Sequence, residues 1–187
     1  MDRILSALVP DASTATRSAI AKTLRRFGQR TLGYVAERGI TVRPLTCGER
    51  YGDASPALRR LAIDVDAWPA PPAGLFVVEE RTVYLRSRSP MTVAHEFSHG
   101  LDCALGDGVY RSGLDPKIRA AFKSASAFVT PYAATGHDEY FAECVRAYVG
   151  ANDPTSFWPR ATRERLAAID PAMFEIIETI FAQIGVG

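Results

Sequence analysis

His95-Glu96-Phe97-Ser98-His99 is the stretch that decides how this chain is read. It lies between Ser89-Pro90, a capping residue followed by a proline suited to the first helical position, and Gly106-Asp107-Gly108, which halts a helix. These signals predict a helix over 90–105. Residues four apart on a helix stand one turn above the other on the same face. His95 and His99 therefore offer two imidazoles to one point, where they can grip a zinc ion. Glu96 projects beside that point and can take a proton from water there. Val93, Phe97 and Leu101 fall on another side and anchor the helix in a core.

A catalytic zinc takes three protein ligands and leaves one position open, so a third ligand must be found. A histidine six residues after His99 would mark a metzincin, but that position is Leu105. Asp102, three residues after His99, is either a ligand or a hydrogen-bond partner of one, and the cramped geometry on a single helix favours the second role. The better source is downstream, in Asp138-Glu139-Tyr140-Phe141-Ala142-Glu143-Cys144. Two glutamates four apart share a face of a helix expected over about 136–149. One can ligate the metal and the other can orient a ligating histidine. Tyr132, in the loop before this helix, reads by spacing as a packing residue, with a hydrogen bond from its phenol to a developing oxyanion as the other option. His137 reads as a loop or helix-start residue, with a substrate contact as the other option.

Outward from these elements, the chain is ordered helix, strands, helices. Ile20, Leu24, Phe27, Thr31 and Val35 make one stripe of a helix over about 14–37, with Lys22, Arg25, Arg26, Gln29 and Arg30 on its solvated face. Gly28 and Gly33 can bend or end it. Residues 1–12 read as a loose leading segment. Residues 40–45 alternate as a short edge strand with Pro44, and residues 53–62 read as a short helix. Residues 74–80 and 82–86 form a β-hairpin around Glu79-Glu80-Arg81. Asp115-Pro116, Asp153-Pro154 and Asp170-Pro171 repeat the helix-start signal, and the last helix is expected to bury Met173, Ile176, Ile177, Ile180 and Ile184. The fold class is α+β: one domain over 1–187 with an N-terminal helix, a small twisted sheet and a mostly helical second half that carries both site helices.

Composition agrees. In 187 residues, 47% hydrophobic and 23% charged content suits a globular chain, and a net charge of +1 calls for neither nucleic acid nor an anionic membrane. A monomer is the favoured state. Three cysteines, Cys47, Cys103 and Cys144, make no disulfide framework, and free thiols are expected over a Cys103–Cys144 bridge. The first ten residues lack the pattern of a signal peptide. A cytoplasmic protein, one exported by another route and one whose leader has been trimmed are all compatible with that start.

His95-Glu96-Phe97-Ser98-His99-Gly100-Leu101-Asp102, followed by Tyr132 and by Glu139-Tyr140-Phe141-Ala142-Glu143, resembles the catalytic domain of anthrax lethal factor and its relatives, including the Pro-Pro endopeptidases. The resemblance covers about residues 90–150. It implies a zincin of the gluzincin type, with His95, His99 and Glu139 on zinc, Glu96 as general base and acid, Tyr132 on the oxyanion and Glu143 supporting a ligand. The expected activity is zinc-dependent peptide-bond hydrolysis, with a protein or peptide substrate extended along an edge strand of the 74–88 hairpin. Two other readings stay open: a zinc amide hydrolase with Cys47 as third ligand, and a silent binding module of the same fold.

Overall fold

The computed structural model describes residues 1–156 and 160–184. Its N-terminal region has three helices: α1 (Asp2–Leu8), α2 (Thr14–Leu24) and α3 (Gln29–Glu37). The segment expected to be loose is thus helical. Leu5 and Leu8, three apart on α1, are buried together with Val9, and Arg17 ties the segment down through Nε to the Val9 carbonyl (2.9 Å) and Nη2 to that of Pro10 (3.0 Å). The single helix expected over 14–37 is broken at Gly28, whose φ of 80° and ψ of 154° belong to a region open essentially to glycine alone. A 3₁₀ turn, Arg25–Phe27, precedes the break. The apolar stripe survives it: Ile20, Leu24, Phe27, Thr31 and Val35 are all buried, while Lys22, Arg25, Arg26, Gln29 and Arg30 stay exposed.

The sheet has three strands: β1 (Thr41–Pro44), β2 (Gly74–Val77) and β3 (Thr82–Leu85). Two short helices, α4 (Tyr51–Ala54) and α5 (Pro56–Arg60), stand where one helix was expected over 53–62. They are separate because Ser55 is extended and caps α5 ahead of Pro56. The strand order is β1-β3-β2, with β1 parallel and β2 antiparallel to the central strand. Both β1, with its proline, and β2 are therefore edges. Register sorts the side chains by face. Val42, Val83 and Phe76 align across the sheet and join the main core, whereas Tyr84, Leu75 and Val77 turn the other way to pack with Leu45, Tyr51, Ala57, Leu58 and Val65.

The second half is helical: α6 (Pro90–Leu105), α7 (Pro116–Ser124), α8 (His137–Tyr148), α9 (Arg163–Ile169) and α10 (Pro171–Gln183). Ser89 caps α6 by accepting from the Thr92 amide, and Asp115 and Asp170 cap α7 and α10 in the expected way. Asp153-Pro154 does not start a helix. It enters a turn, and its carboxylate accepts instead from the Met91 amide (3.4 Å) at the first turn of α6. On α10, Met173, Ile177 and Ile180 are buried, whereas Ile176 is only partly covered and faces the groove shared with α7. Helix α6 lies between the sheet and α8, and every residue from Val93 to Ala104 on it is buried. Cys103 and Cys144 are buried free thiols. Among the described residues no helix is long and apolar enough to cross a membrane.

Replacing Gly28 with alanine forces a side chain into the glycine-only region although space surrounds it. The expected cost is about 1–3 kcal/mol, read as a lower urea midpoint at unchanged slope.

Candidate metal centre

Helices α6 and α8 pack side by side, and each contributes a pair of residues one turn apart. His95 and His99 on α6 meet Glu139 on α8. The two Nε2 atoms lie 3.1 Å apart, and Glu139 Oε2 is 3.0 Å from His95 Nε2 and 3.5 Å from His99 Nε2. Ligands about 2.0–2.1 Å from a tetrahedral ion lie about 3.3–3.4 Å from one another, close to these separations. Glu139 Oε2 is buried and accepts no hydrogen bond from the protein. An electron-rich oxygen left in this way, facing two ring nitrogens, fits a bound cation. These three residues form the one group among the described residues whose donor atoms could hold a metal ion.

The far side of His95 is closely held. Its Nδ1 is 2.9 Å from Glu143 Oε1. Three further hydrogen bonds converge on that buried carboxylate: Arg146 Nε to Oε1 (2.9 Å), Arg146 Nη2 to Oε2 (2.8 Å) and Thr130 Oγ1 to Oε2 (2.6 Å). A carboxylate so surrounded can only accept, so Nδ1 carries a proton and Nε2 is the atom free to donate an electron pair. Glu143 keeps its charge against burial because His95 and Arg146 hold its pKa down at about 2. Burial alone would pull the His95 pKa down, but the adjacent carboxylates of Glu139 and Glu143 and the charge of Glu96 push it up to about 10. Arg146 and Thr130 went unnoticed in the sequence. The signal was available: Arg146 follows Glu143 by three residues, so helical spacing sets the two charges side by side on a helix that also carries Tyr140, Phe141, Cys144 and Val145, and in the structure Arg146 is fully buried.

Glu96 is also buried, and desolvation raises its pKa although both histidines pull it back. It presses against the first residue of β2: a Cβ on Gly74 would lie 2.4 Å from Glu96 Cγ and 2.9 Å from Thr92 Cγ2. Only glycine allows the edge strand to approach α6 this closely. Tyr132, on the 3₁₀ turn Tyr132–Thr135, donates its hydroxyl to Glu139 Oε1 (3.0 Å), with its ring 5.5 Å from that of His95. Desolvation and the charge of Glu139 raise its pKa, so the phenol remains a donor. His95, Glu96 and Tyr132 line a cleft of about 290 Å³ with Pro72, Ala73, Gly74, Met91 and Thr92.

Three other candidate residues lie outside this group, His137 at the helix start expected for it. Asp102 forms no hydrogen bond with either histidine. Its oxygens accept from the Ser112 amide (2.8 Å) and hydroxyl (2.5 Å), because the 3₁₀ turn Arg111–Gly113 folds back over that side of α6. His99 Nδ1 accordingly has no hydrogen-bond partner, and its ring packs instead 5.6 Å from Tyr110. His137 opens α8 and rests on Phe122, ring to ring at 4.6 Å. Cys47 is exposed in the loop after β1 and lies outside the His95–His99–Glu139 group. Because a metal must displace the proton that the carboxylates hold on His95, its uptake should strengthen as pH rises from 6 to 8 and release protons. Calorimetric titration with zinc in buffers of different ionisation enthalpy checks this, and an affinity independent of pH would contradict it.

No protein-family profile matches this chain, and no curated protein matches it either. Among solved structures, the Pro-Pro endopeptidase of Paenibacillus alvei matches with a TM-score of 0.66 at 20% identity, over 95% of this chain and 99% of that one. A likeness at this identity is one of fold, and it extends over nearly the whole of both chains.

Proposed function

We propose that this protein is a zinc-dependent endopeptidase, a zincin of the gluzincin type. The observation that carries the reading is the convergence of His95 Nε2, His99 Nε2 and Glu139 Oε2 at the edge of a cleft that His95, Glu96 and Tyr132 line. Two imidazoles and a glutamate are a ligand set used by catalytic zinc sites, with a position left for water or substrate. Bound there, zinc would supply a Lewis acid for the scissile carbonyl and ease the deprotonation of water. The kinship with the lethal factor group rests on the sequence motifs, and the solved endopeptidase supports the fold that this function requires.

Each remaining role belongs to a side chain of this protein. Glu96 takes a proton from the attacking water and returns one to the amine as the C–N bond breaks. Its raised pKa suits both directions of that transfer. Tyr132 turns its O–H from Glu139 to the carbonyl oxygen as negative charge grows there. His95 is kept in one tautomer by Glu143. The substrate is an extended protein or peptide segment. Strand β2 is an edge whose first residue lines the cleft, so a peptide laid along it would bring its carbonyl past Glu96.

The test begins with zinc content. One zinc per chain is expected, with most of it lost in Glu139→Ala at matched folding; a variant that binds as well as wild type would remove Glu139 as a ligand. Glu96→Gln should retain zinc and lower cleavage of a peptide library by about 10²–10⁴-fold. Undiminished cleavage by a contaminant-free preparation would refute Glu96 as the base. Tyr132→Phe should lower kcat by about 10²-fold with little change in KM, and an unaltered kcat would assign Tyr132 to packing.

A further inference from the structure

We infer that Arg146 is a positioning residue for this site, one that acts through Glu143 on His95 and, through Glu143 and Thr130, on the turn that carries Tyr132. The inference rests on the metal reading above and deepens it.

Arg146 has no solvent exposure, yet its donors are used in a fixed pattern. Nε and Nη2 form a fork onto the two oxygens of Glu143, at 2.9 and 2.8 Å. Nη1 spans to the Ala151 carbonyl (3.2 Å) and Asn152 Oδ1 (3.1 Å). Asn152 is itself fixed, donating to the Ala161 carbonyl (2.7 Å) and accepting from the Ala161 amide (3.1 Å). The guanidinium is therefore clamped from behind. A planar fork on a planar carboxylate sets both the place and the rotation of Glu143, which a lysine's single charged point could not do.

The consequences run along two branches. Glu143 Oε1 receives the His95 Nδ1 proton, so the plane of the carboxylate sets the plane of the imidazole and the aim of Nε2. Glu143 Oε2 receives the Thr130 hydroxyl, and Thr130 Oγ1 in turn accepts from the Ala133 amide (3.3 Å) inside the turn that holds Tyr132. One buried ion pair thus fixes a metal-facing nitrogen and an oxyanion-facing phenol. His99 gives an internal contrast, since its Nδ1 has no such support.

The experiment measures zinc dissociation constants by competition with a chromophoric chelator, alongside circular dichroism of the metal-free protein and the visible spectrum of the cobalt-loaded protein. The variants are Arg146→Gln, Arg146→Lys, Glu143→Gln and the double Arg146→Gln/Glu143→Gln. Arg146→Gln and Glu143→Gln should each weaken zinc binding about 10–100-fold. The double variant should bind no more weakly than the weaker single variant, because Arg146 acts through Glu143. Arg146→Lys should restore only part of the affinity and leave the cobalt spectrum altered. A folded Arg146→Gln that binds zinc as wild type does, or losses that multiply in the double variant, would overturn the inference. Should Arg146→Gln not fold, Thr130→Val takes its place: it keeps the side-chain shape and removes one hydrogen bond from Glu143. Weaker zinc binding and a changed cobalt spectrum are expected, and wild-type values for both would overturn the inference. A wild-type protein that takes up no zinc defeats the metal reading itself, a result distinct from variants that bind as well as a zinc-binding wild type.

Discussion

The structure depends on burying a polar helix. Helix α6 lies between the sheet and α8 with every residue from Val93 to Ala104 out of solvent, and that stretch includes His95, Glu96, Ser98, His99 and Asp102. Burial of such groups is costly unless each finds a partner. Most do. Ser98 donates to the Ala94 carbonyl (2.7 Å), Asp102 accepts from Ser112, and His95 is met by Glu143. The surrounding elements are placed so that these bonds can form: the turn after α6 brings Ser112, and α8 brings Glu143. Among the described residues two buried side-chain atoms stay without a partner: His99 Nδ1, and Glu139 Oε2, where a cation would complete it.

The same constraint joins stability to chemistry. A buried ion pair such as Glu143–Arg146 gains little net stability over apolar packing, because desolvation offsets most of the attraction. Its value lies in geometry. Four hydrogen bonds leave the Glu143 carboxylate one orientation, and that orientation reaches the imidazole of His95 and the turn of Tyr132. The support is one-sided. His95 is locked by polar contacts, while His99 is positioned by its own helix and by the ring of Tyr110.

The sheet contributes a wall. Because its face toward α6 is lined by Val42, Val83 and Phe76, it can sit flush against the helix, and at Gly74 the approach is close enough that no side chain fits. The outcome is a cleft bounded by an edge strand on one side and by His95, Glu96 and Tyr132 on the other. An edge strand left open is ordinarily an aggregation hazard. Here its opening residue borders the cleft, where an extended chain could pair with it.

Local chemistry decided a good part of this in advance. The span of α6 followed from Ser89-Pro90 and Gly106, the hairpin from its aliphatic and aromatic content and its charged turn, and the shared face of His95 and His99 from helical spacing alone. All of these depend on neighbours within a few residues, where backbone geometry leaves few choices. Other features needed the third dimension. Nothing local told that residues 1–12 would find a core to cover, that Asp153-Pro154 would brace α6 instead of starting a helix, or that Asp102 would turn to Ser112. The alternatives for the glutamate pair were separated only by how α8 docks, which sets Glu139 against both Nε2 atoms and Glu143 behind His95. Arg146 shows the division most plainly. Its pairing with Glu143 could be read along the chain from their three-residue spacing, but the burial of the pair and its contacts with His95 and Thr130 could not, because those are made by packing, a property of the whole fold.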